Sequence, residues 1–178
     1  MLMIEVDGPS REVNEASIAI LSACQNEGLL QAERVTDTEN LWQIRKALSP
    51  LLKDIAPKKI NEDVVVPVST LPEFLNGLTK LSLQHQISNV NFGHAGNGNI
   101  HVNLLVDPDN IEEMDRATSC LNEIFDLVIS LNGTLSGEHG IGREKRSYVD
   151  KEIDQTTMNL MKNIKQDFEK KNIINYSI

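Results

Sequence analysis

Basic residues are scarce in this sequence: 17 Lys and Arg stand against 26 Asp and Glu, a formal charge of -9. A surface of that sign as a whole argues against nucleic acid and anionic membrane as primary partners, so any anion the protein handles must meet locally placed basic groups. Cysteine is nearly absent as well. Cys24 and Cys120 form no CxxC pair and fall in helix-like patterns, which makes them small core residues in a reducing compartment. No apolar run approaches the roughly 18–20 residues of a membrane span, and MLMIEVDG at the start carries no basic, secretory-type leader. Cytoplasm is the default compartment, with peripheral membrane association left open. What is present is ordinary for a globular chain: 178 residues, 40% hydrophobic and 24% charged, enough for one domain with a sizeable core.

The pattern along the chain predicts alternating elements. MLMIEVDG, 1 to 8, reads as a strand ending in an Asp-Gly turn. Ser10 precedes a helix striped by Val13, Ala16, Ile20, Leu21 and Cys24, and a strand near Ala32 to Val35 follows. A second helix starts at Thr38, with Leu41, Trp42, Ile44 and Leu48 on its apolar side and Pro50 set to bend or interrupt it. INEDVVVPV, 60 to 68, is a strand stopped by Pro67, and Ser69 opens a helix through Phe74, Leu78 and Leu81. Two strands come next, Ser88 to Gly93 and Asn99 to Val106. DPDN, 107 to 110, caps a long helix over 111–131, closed by Asn132 and Gly133. A last helix spans 154–170 before the apolar end NIINYSI. This order suits an α+β fold with helices packed on one face of a mainly antiparallel sheet.

Three of the four histidines sit in two glycine-rich stretches, NFGHAGNGNIHVN at 91 to 103 and LSGEHGIG at 135 to 142. Strand alternation puts His101 and Asn103 on one face and Ile100, Val102 and Leu104 on the other, which goes to the core. A glycine turn between His94 and His101 brings the two imidazoles within reach of one metal ion. A third ligand is needed, and Glu138 offers a carboxylate, completing a set common for zinc or manganese. Its neighbour His139 is a base candidate, since an imidazole ordinarily titrates at about 6.5. HAGNGN lacks both the dinucleotide fingerprint and the lysine of a P-loop.

GHAGNGNIH (93–101) and SGEHGIG (136–142), with IEVDG, LWQIRKALSP (41–50) and KKINEDVVVP (58–67), resemble the C-terminal domain of FAD-linked 2-hydroxyacid oxidases and dehydrogenases. That group includes D-lactate dehydrogenase, the glycolate oxidase FAD subunit and D-2-hydroxyglutarate dehydrogenase. The resemblance implies a ferredoxin-like α+β domain. It implies that His94, His101 and Glu138 bind a divalent cation, zinc or manganese, and that His139 is the catalytic base. It further implies that Asn103 contacts substrate and that Arg45 pairs with the substrate carboxylate, for which a guanidinium fork is suited. Lys59 is a weaker carboxylate candidate, and Lys145 and Arg143 read as surface charges.

The sequence departs from the family at Asn97, where the relatives have Asp, which exchanges a charge for an amide beside the ligands. A flavin-binding domain of the kind these enzymes carry has no counterpart in residues 1–178. The expectation is therefore a single substrate-side, or cap, domain whose partners are a small 2-hydroxy acid and an FAD-binding domain in cis or in trans. Alone, it is expected to be inactive. The face awaiting the flavin domain should expose apolar surface, which homo-oligomerisation would cover. The alternative is a stand-alone metal- or carboxylate-binding module, or a non-catalytic interaction remnant.

Overall fold

A computed structural model describes residues 1–35 and 37–174, in two compact units, Met1–Leu48 and Ser49–Ile178. In the first unit, helix α1 (Ser10–Ala23) starts after Pro9 and carries an exposed Arg11–Glu15 ion pair of 2.8 Å. Helix α2 (Thr38–Leu51) begins in this unit and holds Pro50 in its last turn. Pro50 does shape the chain there: the α-helix stops one residue later and passes into a 3-10 turn, Leu52–Asp54.

The strands expected at 1 to 8 and at 32 to 35 are not formed: among the described residues neither segment joins a ladder. Alternating apolar residues are insufficient for a strand, because an extended segment leaves its N–H and C=O groups unpaired until another strand accepts them. Met1, Leu2 and Ile4 are exposed.

The second unit is built on a three-stranded antiparallel sheet in the order β1-β3-β2. Its strands are β1 (Lys58–Val65), β2 (Ser88–His94) and β3 (Asn99–Val106). Val64 pairs with Ile100 and Asp63 with His101, while Phe92 faces His101 from the other side. One face is apolar. Val64, Ile100, Val102, Leu104 and Val106 form a core with α3 (Leu71–His85) and α4 (Ile111–Ser130), through residues such as Phe74, Leu78, Ile124 and Phe125. The two helices approach closely at Gly77, where a Cβ would come within 2.4 Å of Leu127.

Helix α4 is capped as its sequence predicts, with the Asn110 side chain accepting from the Glu113 N–H at 3.1 Å. It ends where Asn132 takes a positive φ of 58° and Gly133 N–H bonds back to Val128. Helix α5 (Gln155–Phe168) begins on Asp154, whose carboxylate accepts from Thr156 and Thr157. The apolar end NIINYSI lies partly outside the described residues. No described helix is long and apolar enough to cross a membrane.

Candidate functional site

The hairpin joining β2 to β3 sets the first part of the site. Its connection is one 3-10 turn, Ala95–Asn97, followed by Gly98 at φ +77°. A Cβ at Gly98 would lie 1.9 Å from the Val66 carbonyl oxygen, and one at Gly93 would lie 2.1 Å from that of Asn99. These glycines are thus consumed by the turn and by close strand approach, and they form no cradle for the phosphates of a nucleotide. Asn97 closes the turn by accepting from the Asn99 N–H at 3.2 Å. An aspartate could accept that bond equally well, so the Asp-to-Asn departure keeps the turn.

The outcome is that His94, at the end of β2, and His101, on β3, stand with ring centroids 5.8 Å apart. Glu138 reaches them from the 135–142 loop, its Oε1 3.2 Å from His101 Nε2. One ligand atom from each of the three side chains lies within 4.8 Å of the others. His139 stacks on His101 at 5.4 Å between centroids. His101 is buried, whereas Glu138 and His139 keep about half their side-chain surface in solvent. Burial, reinforced by His139 and His94 and opposed by Glu138, pushes the His101 pKa down. Burial thus disfavours the protonated form of this imidazole.

Two residues that hold the loop were not singled out from the sequence as site residues. Asp63, fully buried on β1 and directly across from His101, accepts from the backbone N–H groups of Gly137, Glu138 and His139. Its other oxygen meets Lys145 Nζ at 2.6 Å and lies 3.5 Å from His139 Nδ1. Burial alone would raise the Asp63 pKa. The Glu138 N–H, the Lys145 ammonium and the His139 N–H together overcome it and hold the carboxyl well below the usual range.

Lys145, expected as a surface charge, is buried instead, with Nζ also donating to the carbonyl oxygens of Asp63 and Leu135 and 3.3 Å from Glu62. Its cost in solvation is offset by two acids and two carbonyls. Glu62 titrates above its ordinary value, chiefly through burial and despite Lys145. A signal for this cluster was on the page: adjacent Glu62 and Asp63 inside an apolar strand require buried partners.

Asn103 shares the face of His101, as alternation predicts, but it is fully buried and its amide is engaged by the chain. Its oxygen accepts from Asn61 at 2.7 Å, and its nitrogen donates to the carbonyls of Val90 and His101. It braces β3 between its neighbours. Asn99, two residues before His101 and paired with His94, is buried, and its side-chain oxygen has no partner among the described residues. Lys59 lies on the same face of β1, opposite Leu105, and donates to Ser49. Arg143 is exposed, and Arg45 lies half-buried on α2 in the first unit.

A sequence model of the FAD linked oxidases, C-terminal domain, matches residues 1–177. The glycolate oxidase subunit GlcD of Bacillus subtilis is 32% identical over 179 residues, covering 98% of this chain and 38% of the relative. The subunit of that name in Escherichia coli K12 is 31% identical over 182 residues, covering 98% and 36%. A D-2-hydroxyglutarate dehydrogenase of Stutzerimonas stutzeri is 29% identical over 182 residues, covering 97% and 39%. The chain therefore spans less than two fifths of the length of each of these relatives.

Proposed function

This chain belongs to the FAD linked oxidases, matching their C-terminal domain, and from that premise we propose that it forms the substrate side of an FAD-dependent 2-hydroxyacid dehydrogenase or oxidase. D-Lactate, glycolate and D-2-hydroxyglutarate are the substrates to test. The observation that carries this reading is the convergence of His94, His101, Glu138 and His139 on the sheet face away from the core.

Two imidazoles and a carboxylate suit zinc or manganese while leaving positions for substrate. The present residues fit such an ion on two counts. Burial disfavours the protonated form of His101, and the buried oxygen of Asn99, which has no partner among the described residues, leaves an acceptor that a water in a filled site would satisfy. A bound cation would polarise the α-hydroxyl and lower its pKa. His139, stacked beside the cluster and open to solvent on one side, is the proposed base for the substrate proton. A flavin, when bound, would supply the acceptor for the hydride from the α-carbon. Its binding is assigned mainly to an FAD-binding domain acting in cis or in trans. Arg45 is proposed, on its motif alone, for the substrate carboxylate.

Metal content of the purified chain tests the first half of this reading. We expect near-stoichiometric zinc or manganese, lost in His101→Ala with the fold retained; a metal-free chain that cannot be loaded would overturn it. Co-expression with an FAD-binding domain from a relative tests the second half, with the three acids and an artificial electron acceptor. Metal bound without turnover of any 2-hydroxy acid would instead favour a stand-alone binding module.

A further inference from the structure

Glu138 and His139 are adjacent in the chain, and adjacent residues of an extended segment point to opposite sides. Both nevertheless reach His101, one through a 3.2 Å contact to its Nε2 and the other by stacking at 5.4 Å. The backbone must bend sharply there, and something must hold the bend. Three consecutive N–H groups, from Gly137, Glu138 and His139, converge on Oδ2 of Asp63 at 2.9, 2.5 and 2.9 Å. This is a backbone nest closed around an anion, and here the anion is a side chain of the protein.

We propose that Asp63 is the positioning residue of this site, presetting the 137–139 backbone so that Glu138 and His139 face His101 before any cation arrives. The strand register makes it suited to this, since Asp63 pairs directly with His101 across the β1–β3 ladder. The nest is thereby locked to the strand that carries the buried histidine. Asp63 is not itself a ligand. Oδ2 is saturated by three N–H groups, and Oδ1 is taken by Lys145, a cation buried on the spot. Lys145 also bonds the carbonyl of Leu135, so the ammonium pins the entry of the loop as the carboxylate pins its centre. The remaining approach to Oδ1 is from His139 Nδ1 at 3.5 Å. A proton held on that nitrogen leaves Nε2 as the basic one, as a carboxylate partner ordinarily dictates for an imidazole.

The inference rests on the metal-and-base reading above, but its test separates the two. In the metal-free wild-type chain, hydrogen exchange should show the amides of Gly137, Glu138 and His139 protected. Amides that exchange like open loop and become protected only on adding zinc would overturn the proposal. Asp63→Asn keeps the shape but loses the charge and one acceptor oxygen, so it cannot accept both from the three N–H groups and from Lys145. It should weaken zinc binding about tenfold or more, although His94, His101 and Glu138 are untouched. Nitrogen NMR of His139 should also change from one dominant tautomer to a mixture.

In a Glu138→Gln background the same substitution should cost little further zinc affinity, because it acts through Glu138. A folded Asp63→Asn chain with wild-type zinc affinity and an unchanged His139 signature would overturn the idea. If that variant does not fold, the wild-type exchange experiment decides. If the wild-type chain binds no zinc, the metal reading falls, and positioning is judged on amide protection and the His139 tautomer.

Discussion

Lys145 gives its ammonium hydrogens to the Asp63 carboxylate and to the carbonyls of Asp63 and Leu135, with no appreciable contact with water. Removing it leaves two buried acids without their cation, a change that typically costs about 3–5 kcal/mol. Lys145→Met should therefore lower the unfolding free energy by that order, measured by urea denaturation. Cys120 illustrates burial acting on a neutral group: its thiol is pushed up to about 11, mainly by burial and secondarily by Glu123. The thiolate fraction at pH 8 is then on the order of one in a thousand. Iodoacetamide should modify Cys24 and spare Cys120 in the native chain, with alkylation of Cys120 rising with pH or on denaturation. A mass shift of two adducts in the native protein at pH 8 would refute this. The reading of Cys120 as a core residue came from helical spacing and stands. Lys145 was read as a surface charge because nothing in a local pattern reveals a partner 82 residues away.

At the scale of elements, the β2–β3 hairpin couples fold to site. Gly98 must remain glycine for two reasons, a φ of +77° and a Cβ position 1.9 Å from the Val66 oxygen. Gly98→Ala should destabilise by more than about 1 kcal/mol and separate His94 from His101. Gly96 has open space around its Cβ position and no positive φ, so Gly96→Ala should fall within about 0.5 kcal/mol of wild type. Thermal unfolding of the two variants side by side checks the contrast. The existence of β2, β3, α3, α4 and α5 was legible in the sequence, since each carries its own period and stop signals. The strands expected at 1 to 8 and 32 to 35 were not found, because pairing depends on a neighbour that local alternation does not specify.

For the molecule, the second unit has one apolar core between the sheet and helices α3 and α4. Phe125 is fully buried there and packs on Tyr148 at 4.6 Å between ring centroids. Phe125→Ala should cost about 3–5 kcal/mol, read from chemical denaturation, and should disturb the proposed metal site only as far as it unfolds the chain. The sheet separates two tasks. Its core face carries stability and the opposite face carries His101, Asp63 and Asn103, so a core substitution and a site substitution should have separable effects.

The sequence alone determined the family, through GHAGNGNIH and SGEHGIG, and brought His94, His101, Glu138 and His139 forward as candidates, because motifs, turn glycines and period-2 alternation are local and can be read without a partner. It also determined the helices that cover the core face. Only the tertiary structure decided how Glu138 and His139 both turn toward His101, since that bend is held by Asp63 from another strand and neutralised by Lys145 from further along the chain. Only it showed Asn103 committed to Asn61, Val90 and His101. The physical reason is common to both cases: a buried polar group is defined by the partners that replace water, and those partners are brought together by the fold.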